Sequence, residues 1–590
     1  MASAIMSSLL ATASSPPSLS SKTSYSPQNA RRRPTTFHRQ WKLCNLSIRS
    51  SGDNSTDESP LIKLDRRNML IGGGLYGTTL GLIHDQKAVA KPIAPPNLSK
   101  CNSSSDGDVL YPCCPPYAFG VLKPEEIPDY QIPSFTTLRK RKPARDLSDG
   151  ELSNLKSAIS KMKSLGGTDP WSFVQQANIH CAFCNGAYNQ VGFDKVPFEC
   201  NNVPLQVHNS SIFLPWHRWY IYFYERILGK LMGDESFALP YWDYDHPDGM
   251  EFPKIYDETP LLDKTRAEHA RAGNYVDLHY SFEYCNTPRP KDKVIEENLC
   301  YFRRIFNEGA KDRTLFIGKT PEAGQESAVA GSLEILHNVV HQWVGKCESP
   351  NFDMGNFITA ARDPIFFGHH MNVDRLWEIY RTQFMSTTGF ETDNPDWLDA
   401  SFIFYDENNK VVKVQVKDAL DITKLGYSFA DLSVEWKNVL CPRQPKTKEA
   451  PVAEFGSTTR VLAEYPIRIL AKRPKSSRRE SDIEKTVEVV VVDGIEVVHT
   501  SSTRFDVYIS TPDNSTDFGD FAGSFVTVAH GHEHGKTADS KAKKQSLKLG
   551  ITNLVAELNA ETAESLVVTL VPRTGVFLID GVYIEQNNIK

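Results

Sequence analysis

The chain has no acidic residues where it begins. Residues 1–50 contain no Asp or Glu, while Ser and Thr are abundant and Arg31, Arg32, Arg33, Arg39 and Arg49 supply positive charge. Such a composition is that of a plastid transit peptide. Long apolar runs are also missing, and none approaches the roughly 20 residues that a bilayer-spanning helix needs, so no integral membrane span is expected. The run LIGGGLYGTTLGLI, ending at Ile83, is too short to span; it follows Arg66-Arg67 and precedes the small-x-small triplet Ala88-Val89-Ala90. These three parts compose a twin-arginine signal, so the tandem predicts import into the chloroplast and transfer to the thylakoid lumen. The mature chain is then expected to start near Lys91. Net charge is low as well. A value of -6 over 590 residues offers no surface for a polyanion, which argues against a nucleic-acid partner.

What is present calls for more than one core. SDGELSNLKSAISKMK, from Ser148, has Leu152, Leu155, Ile159 and Met162 on one helical stripe. Trp171 to His180 continues in helical style and ends at HCAFC. RWYIYFYERILGKLMG reads as an apolar helix with Pro215 near its start and Gly233 past its end. From Tyr241 to Ala330 the chain is polar and irregular and reads as loops. Gly331 to Gly345 and Asp363 to Trp377 return to helical spacing, with Asp363 as a cap before Pro364. Alternation near Phe402 to Val416 predicts antiparallel strands. After a proline-rich and charged stretch come β-rich segments separated by Asp-Gly and other turns. The fold class is therefore a mainly α catalytic domain, with loops and short strands, plus a C-terminal all-β sandwich-like domain. The expected boundaries are 1–90 for targeting, 91–440 for the helical domain, 441–455 for a linker and 456–590 for the β-rich domain.

Among 11 cysteines, Cys101, Cys113 and Cys114 come just after the expected mature start, and Cys181 follows later. Four cysteines allow three pairings, and strain disfavours a bond within the vicinal pair. Two bridges tying the N-terminal loop to the body are expected. The partners of Cys200, Cys285, Cys300, Cys347 and Cys441 stay open.

Six histidines stand in two groups of three: His180, His208 and His217, then His337, His341 and His370. His337 and His341 are four apart on one helix, which makes a face with two imidazoles for a metal. Neither group brings the carboxylates that hard cations prefer, so copper or zinc is favoured over magnesium or calcium. A zinc hydrolase is excluded by the missing HExxH glutamate, because Asn338 stands in its place. Two such groups in one domain suggest a metal pair that handles dioxygen. His369 and His370 are adjacent, and a helical turn of about 100° between them predicts that His369 points away. His530, His532 and His534 in AHGHEHG read as a polar loop.

HCAFC with Phe213 to Arg218, and HNVVH with HHMNVDRLW, resemble the two copper motifs of type-3 copper proteins, specifically the plant polyphenol oxidases of the catechol oxidase and tyrosinase class. The CC pair, the DWL triplet Asp396 to Leu398 and the RFDV segment Arg504 to Val507 look like the same family, so the likeness spans nearly the whole chain. The resemblance implies two copper ions. One would be held by His180, His208 and His217, the other by His337, His341 and His370, with His369 standing behind them. It implies a thioether from Cys184 to His208, and disulfides Cys101–Cys114 and Cys113–Cys181. Asn372 and Asp374 would orient imidazoles, and Phe357 would sit over the second copper and screen the entrance. Glu334 and Asn338 match a pair that holds a water in members that hydroxylate monophenols. Here Glu334 precedes His337 by three residues, where the family usually has four with a proline between. The implied activity is oxidation of o-diphenols to o-quinones with reduction of O2 to water, in a latent form opened by an activating protease. The alternatives are a specialised chalcone oxidase of the aurone-synthase kind, a tyrosinase acting on monophenols, and a non-catalytic O2 carrier.

Overall fold

A computed structural model describes residues 92–106, 109–116, 124–191, 203–326, 329–385, 394–442, 451–474, 485–497, 502–514, 518–529, 532–533 and 544–589. The targeting segments, Lys91, Cys200, His530, His534 and residues 443–450 of the expected linker lie outside these residues, as does the side chain of His532. The described residues all belong to one compact unit, Gly81–Lys590.

Helix α1 (Asp149–Ser164) begins at a capping box in which Ser148 and Glu151 satisfy each other's backbone amides, and it buries Leu155, Ala158, Ile159 and Met162. Helix α2 (Phe173–Cys184) is capped by Ser172 and runs on through HCAFC instead of ending at it. Helix α3 (Phe213–Met232) stops at Gly233, whose φ of 69° suits a residue with no Cβ. Helix α4 (Lys291–Gly309) corrects the expectation of loops from Tyr241 to Ala330. Its buried Val294, Asn298, Tyr301, Phe302, Ile305 and Phe306 do recur at helical spacing, but the charged KDKVIEEN start obscures them. Helices α5 (Arg313–Ile317), α6 (Ser332–Val344) and α7 (Ile365–Ile379) complete the set used below. The carboxylate of Asp363 accepts the Ile365 amide at 3.1 Å, so it caps α7 as the sequence predicts.

Buried ion pairs join α3 to α7. Asp374 accepts from Arg218 Nε at 2.5 Å and Arg141 Nη1 at 2.9 Å, and Arg141 Nε also donates to Glu225 at 3.0 Å. The disulfides Cys101–Cys114 and Cys113–Cys181 tie the N-terminal segment to α2, as expected. Two further bridges, Cys285–Cys347 and Cys300–Cys441, settle pairings the sequence leaves open.

Strands Ser401–Tyr405 and Val411–Gln415 pair antiparallel, in agreement with their alternation. The C-terminal part holds two five-stranded sheets. One is built on Thr486–Val497, paired with Gln545–Gly550, Phe577–Ile579 and Gly581–Asn588. Asp493-Gly494 lies inside that long strand as a bulge, with Gly494 at φ 63°, and not at a hairpin turn. The other sheet runs Asp520–Thr527, Thr503–Ser510, Ser565–Thr574, Ile467–Lys472 and Val452–Ala453, the last pairing being parallel.

This β part docks on the helices through polar contacts. Arg504 donates to the carbonyls of Leu278 and Tyr280 at 3.1 and 2.8 Å. Glu557 accepts from Arg303 and Arg304 at 2.8 and 3.2 Å. Gln342 of α6 donates to the carbonyls of Thr503 and Thr527 at 3.2 and 2.8 Å.

Candidate metal centre

Four helices and one loop bring the histidines together. His180 lies on α2, His217 on α3, His337 and His341 on α6, and His370 on α7, while His208 is on the chain leading into α3. The rings of the first group are 5.1 to 5.7 Å apart. Those of the second are 4.4 to 5.6 Å apart. The groups face each other, with His217 and His370 stacked at 4.3 Å and 11°. All six rings are buried. Burial first, and then neighbouring imidazoles, hold His180, His208, His337 and His370 well below the usual histidine range. Burial takes His217 down to about 3 and His341 to about 4. The cavity is thus lined with neutral imidazoles whose lone pairs are available to a metal.

Which nitrogen faces inward is set from behind. Nδ1 of His180 lies 3.1 Å from the Phe357 carbonyl, that of His217 2.9 Å from Phe213, and that of His341 2.6 Å from Met354. Nδ1 of His337 meets the Glu334 carbonyl at 3.2 Å and Asn338 Oδ1 at 3.1 Å. Nδ1 of His208 faces Gln206 Oε1 at 3.3 Å. Each carbonyl takes the Nδ1 hydrogen and leaves Nε2 as an acceptor. The Nε2 atoms of His180, His208, His217 and His341 have no hydrogen-bond partner among the described residues, and those of His337 and His370 lie 3.2 Å apart. Buried acceptors turned toward one another are what a cation would satisfy. Two all-imidazole sets fit copper.

Several site residues stand differently from expectation. His369 does not point away. Its ring lies 5.0 Å from both His337 and His341, nearly parallel to His337, and 5.1 Å from His370. The face of α6 covers the angle between the two side chains, so both reach it. Phe357 stacks on His208 at 4.2 Å, over the first group of histidines instead of the second. The hydrogen bonds of its peptide to His180 and to Ala529 fix it there. Asp374 bonds Arg141, Arg218 and Tyr427, and Asn372 bonds Asp245 and Arg375, so neither orients an imidazole. Three strong partners take the Asp374 carboxylate.

Glu334 Oε1 accepts the Asn209 amide at 2.5 Å, next to His208, while Oε2 has no partner among the described residues. Burial pushes this carboxyl up to about 8. Asn338 offers Oδ1 to His337 and donates from Nδ2 to the Val526 carbonyl at 3.1 Å. Cys184, one turn after His180, is a buried thiol within the first cluster, pushed well up by burial. Gln206 was not foreseen. Its side chain bridges the Cys184 carbonyl at 2.7 Å and the His208 amide at 3.0 Å. The Met354 carbonyl, also unforeseen, leaves no mark in a sequence.

A helical core that closes two facing sets of neutral imidazoles defines a dinuclear copper protein of the type-3 class. Residues 170–383 match the common central domain of tyrosinase, 391–441 the polyphenol oxidase middle domain, and 459–590 the chloroplastic polyphenol oxidase C-terminal domain. The chain is 40% identical to the chloroplastic polyphenol oxidase of Malus domestica over 92% of both proteins, and it belongs to the chloroplastic polyphenol oxidase family. It is 37% identical to aureusidin synthase of Antirrhinum majus, covering 88% of this chain and 92% of that one. Among solved structures, latent apple tyrosinase superposes with a TM-score of 0.69 at 37% identity, covering 78% of this chain and 99% of that one. A latent aurone synthase superposes at 0.75 and 33%, covering 85% and 100%. The chloroplastic names of the relatives support a chloroplast location. Among the described residues no helix is long and apolar enough to cross a membrane.

Proposed function

We propose that the chain is a latent catechol oxidase in which His180, His208 and His217 hold one copper and His337, His341 and His370 the other. The carrying observation is that five of these imidazoles are tied at Nδ1 to an oxygen behind them, leaving Nε2 toward one shared cavity. Bound copper supplies the electron transfer by which two o-diphenols become two o-quinones while one O2 becomes two waters. The chain's own residues do the rest. The imidazoles stay neutral, the aromatic walls exclude water, and Phe357 narrows the approach beside His208. Cys184 stands where a thioether to His208 would fix that ring. The test is copper stoichiometry measured alongside catechol oxidation in the purified chain; oxidation without two coppers per chain would overturn the reading.

A second activity, hydroxylation of monophenols, is favoured by Glu334, whose Oε2 is buried and unpartnered beside Asn209. Its carboxylate, which forms as pH rises toward about 8, is basic enough to take a phenolic proton. Comparing a monophenol with its o-diphenol and a chalcone tests this and the substrate class together.

Latency fits the contacts at α6. The carbonyls of Thr503, Val526 and Thr527 occupy the amides of Asn338 and Gln342, residues that flank the second set of histidines. The proposed organisation is a targeting segment 1–90, a catalytic domain 91–440, a linker 441–455 and a covering domain 456–590. Cleavage of the linker by a protease would lift the cover. The twin-arginine signal supports the thylakoid lumen as the destination. Limited proteolysis tests the latency; equal catechol oxidation before and after cleavage sinks it.

A further inference from the structure

Beyond the copper cavity, a third cluster of ligand atoms lies at the far end of α6. His269, Cys285 and Cys347 place an imidazole nitrogen and two sulfurs within 4.8 Å of one another. His269 is buried and held from two sides. Its Nε2 donates to the Trp343 carbonyl at 2.7 Å, which fixes the tautomer and leaves Nδ1 as the acceptor. The Asn286 amide donates to that Nδ1 at 3.0 Å, and Asn286 directly follows Cys285. Asn286 Oδ1 also lies 3.6 Å from Cys347 Sγ. Both cysteines are half-buried, so a small reductant and a metal ion can reach them. An imidazole, two sulfurs and an adjacent amide oxygen form the donor set of a soft or borderline divalent ion.

We propose that Cys285 and Cys347 alternate between a disulfide and, with His269, a zinc-class metal site. The disulfide takes two electrons and two protons from a dithiol, which closes to its own disulfide, and the S–S bond becomes two thiols. A divalent metal then displaces the two thiol protons and replaces the Asn286 hydrogen bond at Nδ1. Cys347 lies six residues past His341, and Trp343 lies two past it. Occupancy therefore holds the end of the helix that carries two of the three histidines of the second set.

The experiment uses the full chain, copper-loaded, reduced with excess dithiol, desalted without oxygen, given zinc chloride and desalted again. Zinc is counted by mass spectrometry, and cobalt(II) in its place is read by thiolate charge-transfer absorption. The reduced wild type should retain about one zinc more than the unreduced protein, a structural Cys–Cys–His site binding one ion. Cys285→Ser should abolish that increment and the cobalt–thiolate band, while Cys300→Ser should keep both. His269→Gln, which leaves the disulfide intact in the oxidised protein, should weaken zinc binding at least about tenfold, the loss of one of three ligands. No added zinc in the reduced wild type, or an equal increment in Cys285→Ser or undiminished binding in His269→Gln, overturns the proposal. If Cys285→Ser does not fold, His269→Gln decides.

Discussion

The peptide of Phe357 couples the β-rich part of the chain to His180. Its carbonyl lies 3.1 Å from His180 Nδ1, and its amide donates to the Ala529 carbonyl at 2.9 Å. The same residue lays its ring on His208, so one residue holds one imidazole by its backbone and covers another with its side chain.

Phe357→Ala keeps the carbonyl and removes the ring. Copper content should be unchanged, and the KM for a bulky o-diphenol should fall once the cover is off. Loss of a buried aromatic should cost about 3 kcal/mol of stability. A matched loss of copper would show that the ring, and not the carbonyl, positions His180.

His341→Ala removes an imidazole whose Nδ1 is anchored at 2.6 Å to Met354. The variant should lose catechol oxidation and about one copper per chain. Unchanged copper stoichiometry would sink the ligand assignment.

Gln342→Leu removes two hydrogen bonds that the helix makes to Thr503 and Thr527. Each contributes about 1 kcal/mol. The open fraction of the uncleaved protein should rise about 5- to 30-fold, and its oxidation rate with it. Protein cleaved in the linker should gain far less. A latent rate that does not change rules out these bonds as the latch.

Burial pushes the Glu334 carboxyl up to about 8 from an ordinary 4.5, so the folded protein holds this proton over a pH range where the unfolded chain has released it. The unfolded state binds fewer protons there, and stability falls as pH rises from about 4.5 to 8, by about 1.4 kcal/mol per pH unit from this group. Glu334→Gln should flatten that slope in denaturant titrations between pH 5 and 8. Parallel slopes for variant and wild type would refute the burial argument.

Asp374→Asn leaves Arg141 and Arg218 buried without their shared charge. Breaking such a network should cost about 3–5 kcal/mol. Copper content of the folded fraction should not change, because the carboxylate touches no imidazole. A selective loss of copper with little loss of stability would restore to Asp374 the orienting role that its sequence position suggests.

The metal centre was legible because its chemistry is carried by side chains at fixed spacings. His337 and His341 four apart, and HCAFC ahead of Pro215-Trp216-His217, are patterns on helices, and His208 joins them from the loop between. What holds those rings was not legible. Carbonyls of Phe213, Met354 and Phe357 are common to every residue type, and only the fold decides which of them meets an Nδ1. Asp374 misled for a related reason, since its partner Arg141 stands 233 residues away in sequence. Proximity to His370 along one helix could not compete with two guanidinium groups arriving from elsewhere. Helix α4 was hidden by surface charge at its start, and Asp493-Gly494 had the residues of a turn in a place where pairing on both sides kept the strand going.

The bridge between Cys300 and Cys441 has a consequence for the proposed cleavage. It fastens Cys441, the first residue of the proposed linker, to α4, and just upstream Trp436 packs on Phe306 at 4.3 Å. A chain severed beyond Pro442 therefore gains a new end that is already stitched to the body it stays with. That end cannot peel back and take Trp436 out of its packing against Phe302, Phe306 and Phe384. Under the proposed cleavage the molecule would shed its roof and keep its masonry.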